Sequence, residues 1–224
     1  MNNQFFNILP KMKLILTIAG VFFYVLLFAQ KSNPDISKIN NNSVWKIFNR
    51  EIKVTTENGE NIASFNARQG DGLAVFQNLE FENGTIEFDV KGKDVLQRSF
   101  VGVAFHIQDE NDFNAIYFRP FNFKKPERAG HSVQYISHPE FTWQKLRSDF
   151  PEQYEHPVNP VPNPDDWFHA KIDVNWPTVK VYVEYSTESS LEVKMKSTFK
   201  KGKVGFWVGN GSDGSFKNLI VKMK

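Results

Sequence analysis

The stretch NGTIEFDVKGKD, residues 83–94, is the segment that best indicates the fold of the chain. Its apolar residues Ile86, Phe88 and Val90 alternate with two acids, and a period of two predicts a strand with one buried and one polar face. An Asn-Gly pair opens the stretch, as is typical of a turn that leads into a strand.

Further short apolar runs follow this pattern along the rest of the chain. They are GLAVFQNL, SFVGVAFHI, FNAIYFR, HSVQYIS, WFHAKIDV, VKVYVEY, KVGFWVG and SFKNLIVKM. Turn signals separate them at regular spacing, which predicts an all-β, antiparallel sandwich. We find no repeat and no second core, so we expect one domain over residues 44–224.

One segment, SHPEFTWQKLRSDFP, breaks the β pattern. Trp143 and Leu146 belong to a set of residues at helical spacing, and Ser137 with Glu140 forms a capping-box pattern. We therefore expect one short helix near 138–150. The proline-rich segment that follows predicts a long surface loop.

The N-terminus has the features of an export signal. Lys11 and Lys13 precede the apolar run 14–29, which is too short for a comfortable membrane-spanning helix and typical of a signal peptide. Cleavage after Ala29 would remove residues 1–29, leave no stable membrane span, and deliver the protein to the periplasm or outside the cell. An uncleaved N-terminal anchor is the alternative.

The composition limits the function classes that fit the chain. The polar segment 30–43 predicts a linker between the signal and the domain. With 224 residues, 22 Phe and no Cys, the chain has material for a large core but none for disulfides or zinc–thiolate sites. Loss of the two signal lysines from a net charge of +2 leaves a neutral mature chain, which argues against nucleic acid as a partner.

Two of the predicted strands have an unusual polar face. Opposite the core, SFVGVAFHIQ carries Gly102, Ala104 and His106, so that face would be hollow, with the histidine near its end. KVGFWVG places Trp207 between two glycines on the equivalent face. Because aromatic rings pack well on the C–H faces of sugars, the pattern predicts a shallow saccharide-binding groove. Burial of Trp207 in the core is the alternative.

Polar residues that accompany this hollow suggest where chemistry would take place. His131, His138 and Glu155 are candidate catalytic residues, because histidine can act as a general base near neutral pH. The candidate substrate-binding residues beside His106 and Trp207 are Tyr117, Arg119, Gln134, Tyr135, Trp143 and Arg147. An arginine fork could hold a sugar carboxylate, a sulfate or a developing oxyanion. Simpler alternatives are a surface ion pair for Arg119 and helix core for Trp143.

The two acids of the first stretch are also candidates. Glu87, as a catalytic residue, and Asp89, as a binding residue, share one strand face with Cα atoms roughly 6.6 Å apart. This spacing is compatible with the carboxyl separations of glycosidases. The alternative is a solvated strand face.

A metal site is the least supported of these expectations. DENDFN, residues 109–114, could offer oxygen ligands to calcium, but it lacks the EF-hand pattern and is better explained as a hairpin turn. The two candidate histidines have no recognised zinc spacing. No cofactor is firmly implied, and a structural or catalytic divalent metal is left open.

Five segments together carry a resemblance to known proteins: GTIEFDVKG, WFHAKIDV, VKVYVEY, GKVGFWVG and GSFKNLIV. In this order they resemble the concanavalin A-like lectin and glucanase superfamily, which implies a jelly-roll sandwich of two curved antiparallel sheets with a concave, sugar-facing side. The resemblance extends over residues 44–224. In glycoside hydrolases of family sixteen the pattern is E-x-D-x-x-E; Glu87 and Asp89 match its first two acids, but Lys91 and Gly92 stand where the third is expected.

The progression from IEFDV to GVAFHIQDENDFNAIYFRP is also similar to secreted 3-keto-disaccharide hydrolase domains. This resemblance implies a secreted glycoside hydrolase that acts on oxidised disaccharides or related glycans at the concave face. A saccharide is then the expected ligand. A non-catalytic carbohydrate-binding module and a structural envelope protein are the alternatives.

Overall fold

The structure, a computed structural model, describes residues 30–224, so the predicted signal peptide lies outside the described residues. The described chain is nearly all β, with one α-helix and three 3₁₀ turns. Among the helices of residues 30–224, none has both the length and the apolar composition needed to cross a membrane.

The strands follow one another along the chain with short connections. They are β1 (Lys31–Ser32), β2 (Trp45–Phe48), β3 (Ile52–Glu57), β4 (Glu60–Phe65), β5 (Gly72–Phe81), β6 (Gly84–Lys91), β7 (Val101–Ile107), β8 (Phe113–Phe118), β9 (Val133–His138), β10 (Glu155–His156), β11 (Trp167–Asn175), β12 (Thr178–Val183), β13 (Leu191–Lys194), β14 (Gly202–Val208) and β15 (Gly214–Met223). The helix α1 spans Trp143–Asp149, and the 3₁₀ turns span Ile36–Lys38, Pro120–Asn122 and Ala129–His131.

These strands form two antiparallel sheets. The back sheet has the order β13-β12-β11-β6-β15-β4-β3, with β1 paired to β15, and the front sheet has the order β10-β9-β8-β7-β14-β5-β2. In both sheets, runs of strands that follow one another in sequence, such as β7 to β10 and β11 to β13, pair with strands that are distant in sequence, as expected for a jelly roll. The predicted all-β sandwich is confirmed.

Aromatic side chains join the two sheets in the core. Phe206 of the front sheet stacks on Phe216 of the back sheet, with ring centroids 4.6 Å apart. Trp45 stacks on Phe206 with ring centroids 5.8 Å apart, and Phe65 packs edge-to-face with Phe206 at a centroid distance of 6.5 Å. All four side chains are buried. Phe206 therefore connects both sheets near the centre of the core.

The alternation predicted for residues 84–90 is confirmed. In β6, Ile86, Phe88 and Val90 are buried, whereas Glu87 and Asp89 are on the half-exposed face. The stretch DENDFN forms the turn between β7 and β8 with its first four residues and opens β8 with its last two, and in the turn the backbone N–H of Asn111 donates to the Asp109 carboxylate at 2.8 Å. Its interpretation as a hairpin turn is confirmed.

The predicted start of the helix is wrong. Ser137 is still part of β9, and its backbone exchanges hydrogen bonds of 3.0 and 2.7 Å with that of Phe141. Because this bridge holds the chain extended, the helix begins only at Trp143, and the Thr142 side chain caps it by accepting from the N–H of Lys145. Leu146 faces the core, as the helical spacing predicts.

Two segments expected to be irregular belong to the sandwich. Within 30–43, which the sequence predicts to be a linker, Lys31 pairs with Lys222, and both Ile36 and Ile39 are buried. The segment is polar on average, so its composition does not reveal these two buried isoleucines. The proline-rich segment contains β10, an edge strand on β9, and prolines are tolerated beside such a strand because its outer edge needs no partner.

We predict that Phe206→Ala lowers the free energy of unfolding by about 3–5 kcal/mol, because it opens a cavity between the sheets. Chemical denaturation monitored by circular dichroism measures this change. Phe206→Leu is the matched variant and should lose clearly less, since it keeps most of the apolar volume. Equal stability of Phe206→Ala and the parent protein would contradict this account of the core.

Candidate functional site

A row of side chains crosses the outer face of the front sheet. Strand register places Trp207 opposite Gly102, Gly102 opposite Tyr117, Tyr117 opposite Gln134, and Gln134 opposite Glu155. The row therefore extends across β14, β7, β8, β9 and β10. All five members were predicted to lie on this face or in the polar segment beside it, and the register makes them neighbours.

Gly102 is a position in this row with no room for a side chain. A Cβ at this position would lie 2.1 Å from the carbonyl oxygen of Ile116, so only glycine fits. Without a side chain between them, the rings of Tyr117 and Trp207 approach to a centroid distance of 4.9 Å. Both rings are buried beneath the cleft and pack with the hydrophobic core, so Trp207 is not a free platform and the alternative of a buried Trp207 is confirmed.

A cleft of about 840 Å³ lies above this row. Its aromatic lining consists of Phe100, Tyr117, Phe121, Trp143 and Trp207. Its titratable lining consists of Asp71, Arg98, Arg119, Arg128, Arg147, His131, His138 and Tyr117. This volume is typical of small-molecule sites, which usually combine apolar walls with a few polar groups.

Glu155 is buried directly behind the cleft and is tightly bound. Its carboxylate accepts from Arg147 at two points, each 2.6 Å long, and from Arg119 at 3.1 Å. Nδ1 of His131 lies 2.9 Å from Oε1 of the same carboxylate. The Glu155 side chain is only 3 % exposed. The geometry of the Arg147 contact is the planar fork in which arginine binds carboxylates best.

The charge of Glu155 is stabilised by these partners. Burial would raise the pKa of this carboxyl, but the hydrogen bonds from Arg147 and the charges of Arg147, Arg119 and His131 outweigh that effect and lower it. Glu155 therefore stays ionised near neutral pH. An ionised carboxylate with this set of donors is suited to positioning arginines.

Arg119 links Glu155 to the base of the cleft. Its Nη2 donates to the hydroxyl of Tyr117 at 2.7 Å and also to the side-chain oxygen of Gln134. The Tyr117 hydroxyl donates to the same oxygen at 2.7 Å. Burial raises the pKa of Tyr117 to about 12, so its hydroxyl keeps its proton. The network holds the Tyr117 ring in place beneath the cleft.

Asp71 and His138 form a second polar group in the cleft. Burial raises the pKa of Asp71, and the charge of His138, the indole of Trp207 and the charge of Arg50 only partly oppose this effect. Burial likewise lowers the pKa of His138, against the charge of Asp71. Such opposed shifts are typical of acid–base pairs in functional sites.

Asp71 was missed by the sequence analysis. It stands between Gly70 and Gly72 immediately before β5, and a lone acid flanked by glycines reads as a turn. Asp71 and Leu73 share one face of the chain by strand alternation, and Leu73 pairs with Trp207 between β5 and β14. This alternation is the signal that could have placed Asp71 on the face of Trp207. Arg98, in the connection before β7, was missed as well.

The expectation that Glu87 and Asp89 border the sugar-facing groove is wrong, because β6 belongs to the back sheet. Glu87 pairs with Lys222 at 2.8 Å. Asp89 accepts from Asn218 and lies 2.8 Å from Nδ1 of His169. The alternation was correct, but periodicity does not reveal which of the two sheets a strand joins.

His106 and Tyr135 also lie away from the cleft. Two residues of β7 oppose one residue of β14 at a bulge, and His106, with φ of 50°, turns inward so that its Nε2 lies 2.8 Å from the Glu82 carbonyl oxygen. Tyr135 faces the core because it neighbours the outward Gln134, and its hydroxyl donates to Asn114.

The remaining candidates come together as expected. Tyr117, Arg119, His131, His138, Trp143, Arg147 and Trp207 line the cleft, and Gln134 and Glu155 support it from behind. Their binding and catalytic roles stay predictions. Among residues 30–224, no three His, Cys, Asp or Glu side chains converge on a point that could hold a metal ion.

Comparison with known proteins identifies the fold. No sequence model of a protein family matches the chain, and no curated protein does. Among solved structures, a carbohydrate-binding module of Bacillus subtilis is 16% identical, with a TM-score of 0.54 over 78% of this chain and 92% of its own. The β-glucanase of Bacillus licheniformis is 15% identical, with a TM-score of 0.52 over 88% of this chain and 98% of its own.

A Bacillus subtilis protein of unknown function with a galectin-like fold is similar as well. It is 16% identical, with a TM-score of 0.55 over 87% of this chain and 94% of its own. At these identities the comparison shows a shared architecture. The fold of this chain is the concanavalin A-like jelly roll that the sequence resemblance implied.

We predict that Glu155→Gln destabilises the protein by about 3 kcal/mol at neutral pH, because two guanidiniums lose their buried counter-charge. The difference in stability between the parent protein and the variant should shrink as the pH falls through the acid range. A carboxyl with a lowered pKa stabilises the folded state only while it is ionised, so the parent protein loses this stabilisation when Glu155 becomes protonated. Urea denaturation across that range measures both effects. Glu152→Gln removes an exposed charge in the same segment and serves as the control; an equal loss in both variants would contradict the prediction.

Proposed function

We propose that the protein is an exported, carbohydrate-active enzyme that binds a saccharide in the front-sheet cleft and hydrolyses a glycosidic bond. The observation that carries this proposal is the placement of Asp71, a carboxyl with a raised pKa, in a cleft whose lining includes the exposed ring of Trp143. Sugars pack on accessible aromatic rings, and glycoside hydrolysis needs a proton donor near neutral pH.

Asp71 is the proposed proton donor. Its raised pKa keeps part of the population protonated at mildly acidic pH, as a general acid requires. His138 is the proposed base, since its lowered pKa keeps the imidazole neutral and able to accept a proton. Both residues line the cleft.

The proposed step is a hydrolysis with balanced proton transfers. Asp71 donates its proton to the glycosidic oxygen as the bond from that oxygen to the anomeric carbon breaks. A water molecule attacks the anomeric carbon and gives a proton to His138. The products are a free hydroxyl and a hemiacetal, and transfer of the His138 proton to the Asp71 carboxylate, directly or through water, restores both groups.

Glu155 and His131 have a different role in this proposal than the sequence analysis gave them. Glu155 is saturated by arginine donors, so it positions Arg119 and Arg147 instead of exchanging protons. His131 contributes to the same cluster at 2.9 Å. Glu87 has no part in the reaction because it lies on the back sheet.

Three of the similar solved structures agree with a saccharide ligand. Their titles describe a carbohydrate-binding module, a β-glucanase and a putative glycosyl hydrolase of Parabacteroides distasonis. Fold alone does not determine function, so these titles support the ligand class and leave the reaction to experiment. Oxidised disaccharides are one substrate class to include, because of the sequence resemblance to 3-keto-disaccharide hydrolase domains.

A non-catalytic carbohydrate-binding protein is the second candidate. One observation favours it: within residues 30–224, Asp71 is the only carboxyl residue that lines the cleft, whereas glycosidases generally use two carboxyls. This candidate predicts saccharide binding without turnover, with the exposed ring of Trp143 as the main aromatic contact.

We predict that the mature protein releases reducing sugar from a panel of disaccharides, their 3-keto derivatives and polysaccharides. The pH profile should be bell-shaped with its optimum on the acid side of neutrality. The optimum should lie between the ordinary pKa of a carboxyl and that of an imidazole, because the pKa of Asp71 is raised and the pKa of His138 is lowered.

Asp71→Asn should lower kcat by about 100-fold or more while saccharide affinity changes little, since it removes the proton donor and keeps the shape. Asp173→Asn, which removes a partly exposed back-sheet carboxylate that pairs with Lys224, is the control. Saccharide binding with no sugar release would favour the second candidate. Neither binding nor release across the panel would contradict both.

A further inference from the structure

The cleft has an excess of guanidinium groups for a site that binds a neutral sugar. Arg98, Arg119, Arg128 and Arg147 all line it, whereas Asp71 is its one lining carboxyl residue among the described residues. Like charges around one cleft repel each other, and they raise the local concentration of anions. Whether these charges are available to a ligand depends on their partners in the protein.

Two of the four arginines are occupied by the protein itself. Arg119 is almost fully buried, and its two terminal nitrogens bond to Glu155, Tyr117, Gln134 and the His131 carbonyl oxygen. Arg128 pairs with Glu127 at 3.0 Å and donates to Asn122 at 3.1 Å. These two residues form part of the wall and base of the cleft, and few of their N–H donors remain available to a ligand.

Arg147 keeps part of its guanidinium free. Its Nε and Nη2 donate to Glu155, but its Nη1 makes no hydrogen bond with any described residue, and 37 % of the side chain is exposed. The guanidinium lies 5.0 Å from the ring centroid of Trp143, which is itself 41 % exposed. Glu155 thus orients a planar fork whose unused edge lies beside an accessible aromatic ring.

The side chain of Arg98 has more unused hydrogen-bond donors than that of Arg147. It lies in the exposed connection between β6 and β7, and its side chain makes no hydrogen bond or ion pair with any residue of the described chain. Within the described residues, neither Arg98 nor Arg147 forms an ion pair with the carboxylate of Asp71. Two guanidiniums with unused donors therefore border one cleft, and Arg98 has no carboxylate partner among the described residues.

We infer that the saccharide bound in this cleft carries an anionic group, a carboxylate or a sulfate, which binds Arg147 and Arg98 while a sugar ring packs on Trp143. The inference rests on the proposed function, since it specifies the ligand of the same cleft. A carboxylate or sulfate offers the paired oxygens that an arginine fork recognises. The aromatic ring accounts for the rest of the sugar, because its C–H face needs an apolar surface.

The test compares three oligosaccharides of equal length and linkage: a neutral one, its uronate counterpart and its sulfated counterpart. Isothermal titration calorimetry with the mature protein, at low and at physiological ionic strength, measures the three affinities. We expect at least one anionic oligosaccharide to bind about tenfold more tightly than the neutral one at low salt, and this advantage to shrink as salt screens the charges.

Arg98→Gln is the main variant, because Arg98 has no internal partner whose loss would disturb the fold. It should reduce affinity for the anionic oligosaccharide by about five- to tenfold and leave the neutral one unchanged. Lys53→Gln removes an equivalent exposed charge from the back sheet and should change neither. Arg147→Lys keeps the charge near Glu155 but not the fork, so it should weaken anion binding as well.

The possible results separate this inference from the proposed function. Tighter binding of the uronate or of the sulfated sugar, lost in Arg98→Gln, supports the inference and identifies the anionic group. Equal or tighter binding of the neutral oligosaccharide overturns the inference but leaves the proposed function in place. Binding of none of the three, together with no binding across the broader panel, overturns both.

Discussion

The buried ion cluster around Glu155 is the interaction on which the cleft depends. It joins the edge strand β10, the helix α1 through Arg147, and the end of β8 through Arg119, with His131 beside the carboxylate. A buried carboxylate is costly unless its partners are all in place. The wall and base of the cleft are thus assembled together, and the Tyr117 ring is held in position by the same arginine that neutralises Glu155.

The two faces of the sandwich use similar residues for different purposes. On the back sheet, Glu87 and Asp89 pair with Lys222, His169 and Asn218, so their charges are balanced locally. On the front sheet, arginines exceed the carboxyls that face the cleft. This charge imbalance within the cleft is the basis of the proposed anionic ligand, because an excess of one sign of charge raises the local concentration of the other.

Much of the fold follows from local patterns, and the errors follow from contacts between distant segments. Strand alternation and turn signals predicted the sandwich because period-two burial and Asn-Gly turns are properties of neighbouring residues. The helix begins later than its capping box implies because Ser137 pairs with Phe141. Residues 31–39 and β10 join the sandwich through partners far away in sequence, which composition averaged over a segment does not show.

By itself the sequence determined the all-β class and which residues of each strand share a face, since alternation is a property of a single strand. The sequence also identified most of the polar residues that line the cleft. Only the tertiary structure decided which sheet receives each face, through strand order: Glu87 was assigned to the back and Tyr117 to the front. It alone turned His106 inward at a bulge and brought Asp71 into the cleft, because register and loop placement depend on pairing between strands distant in sequence.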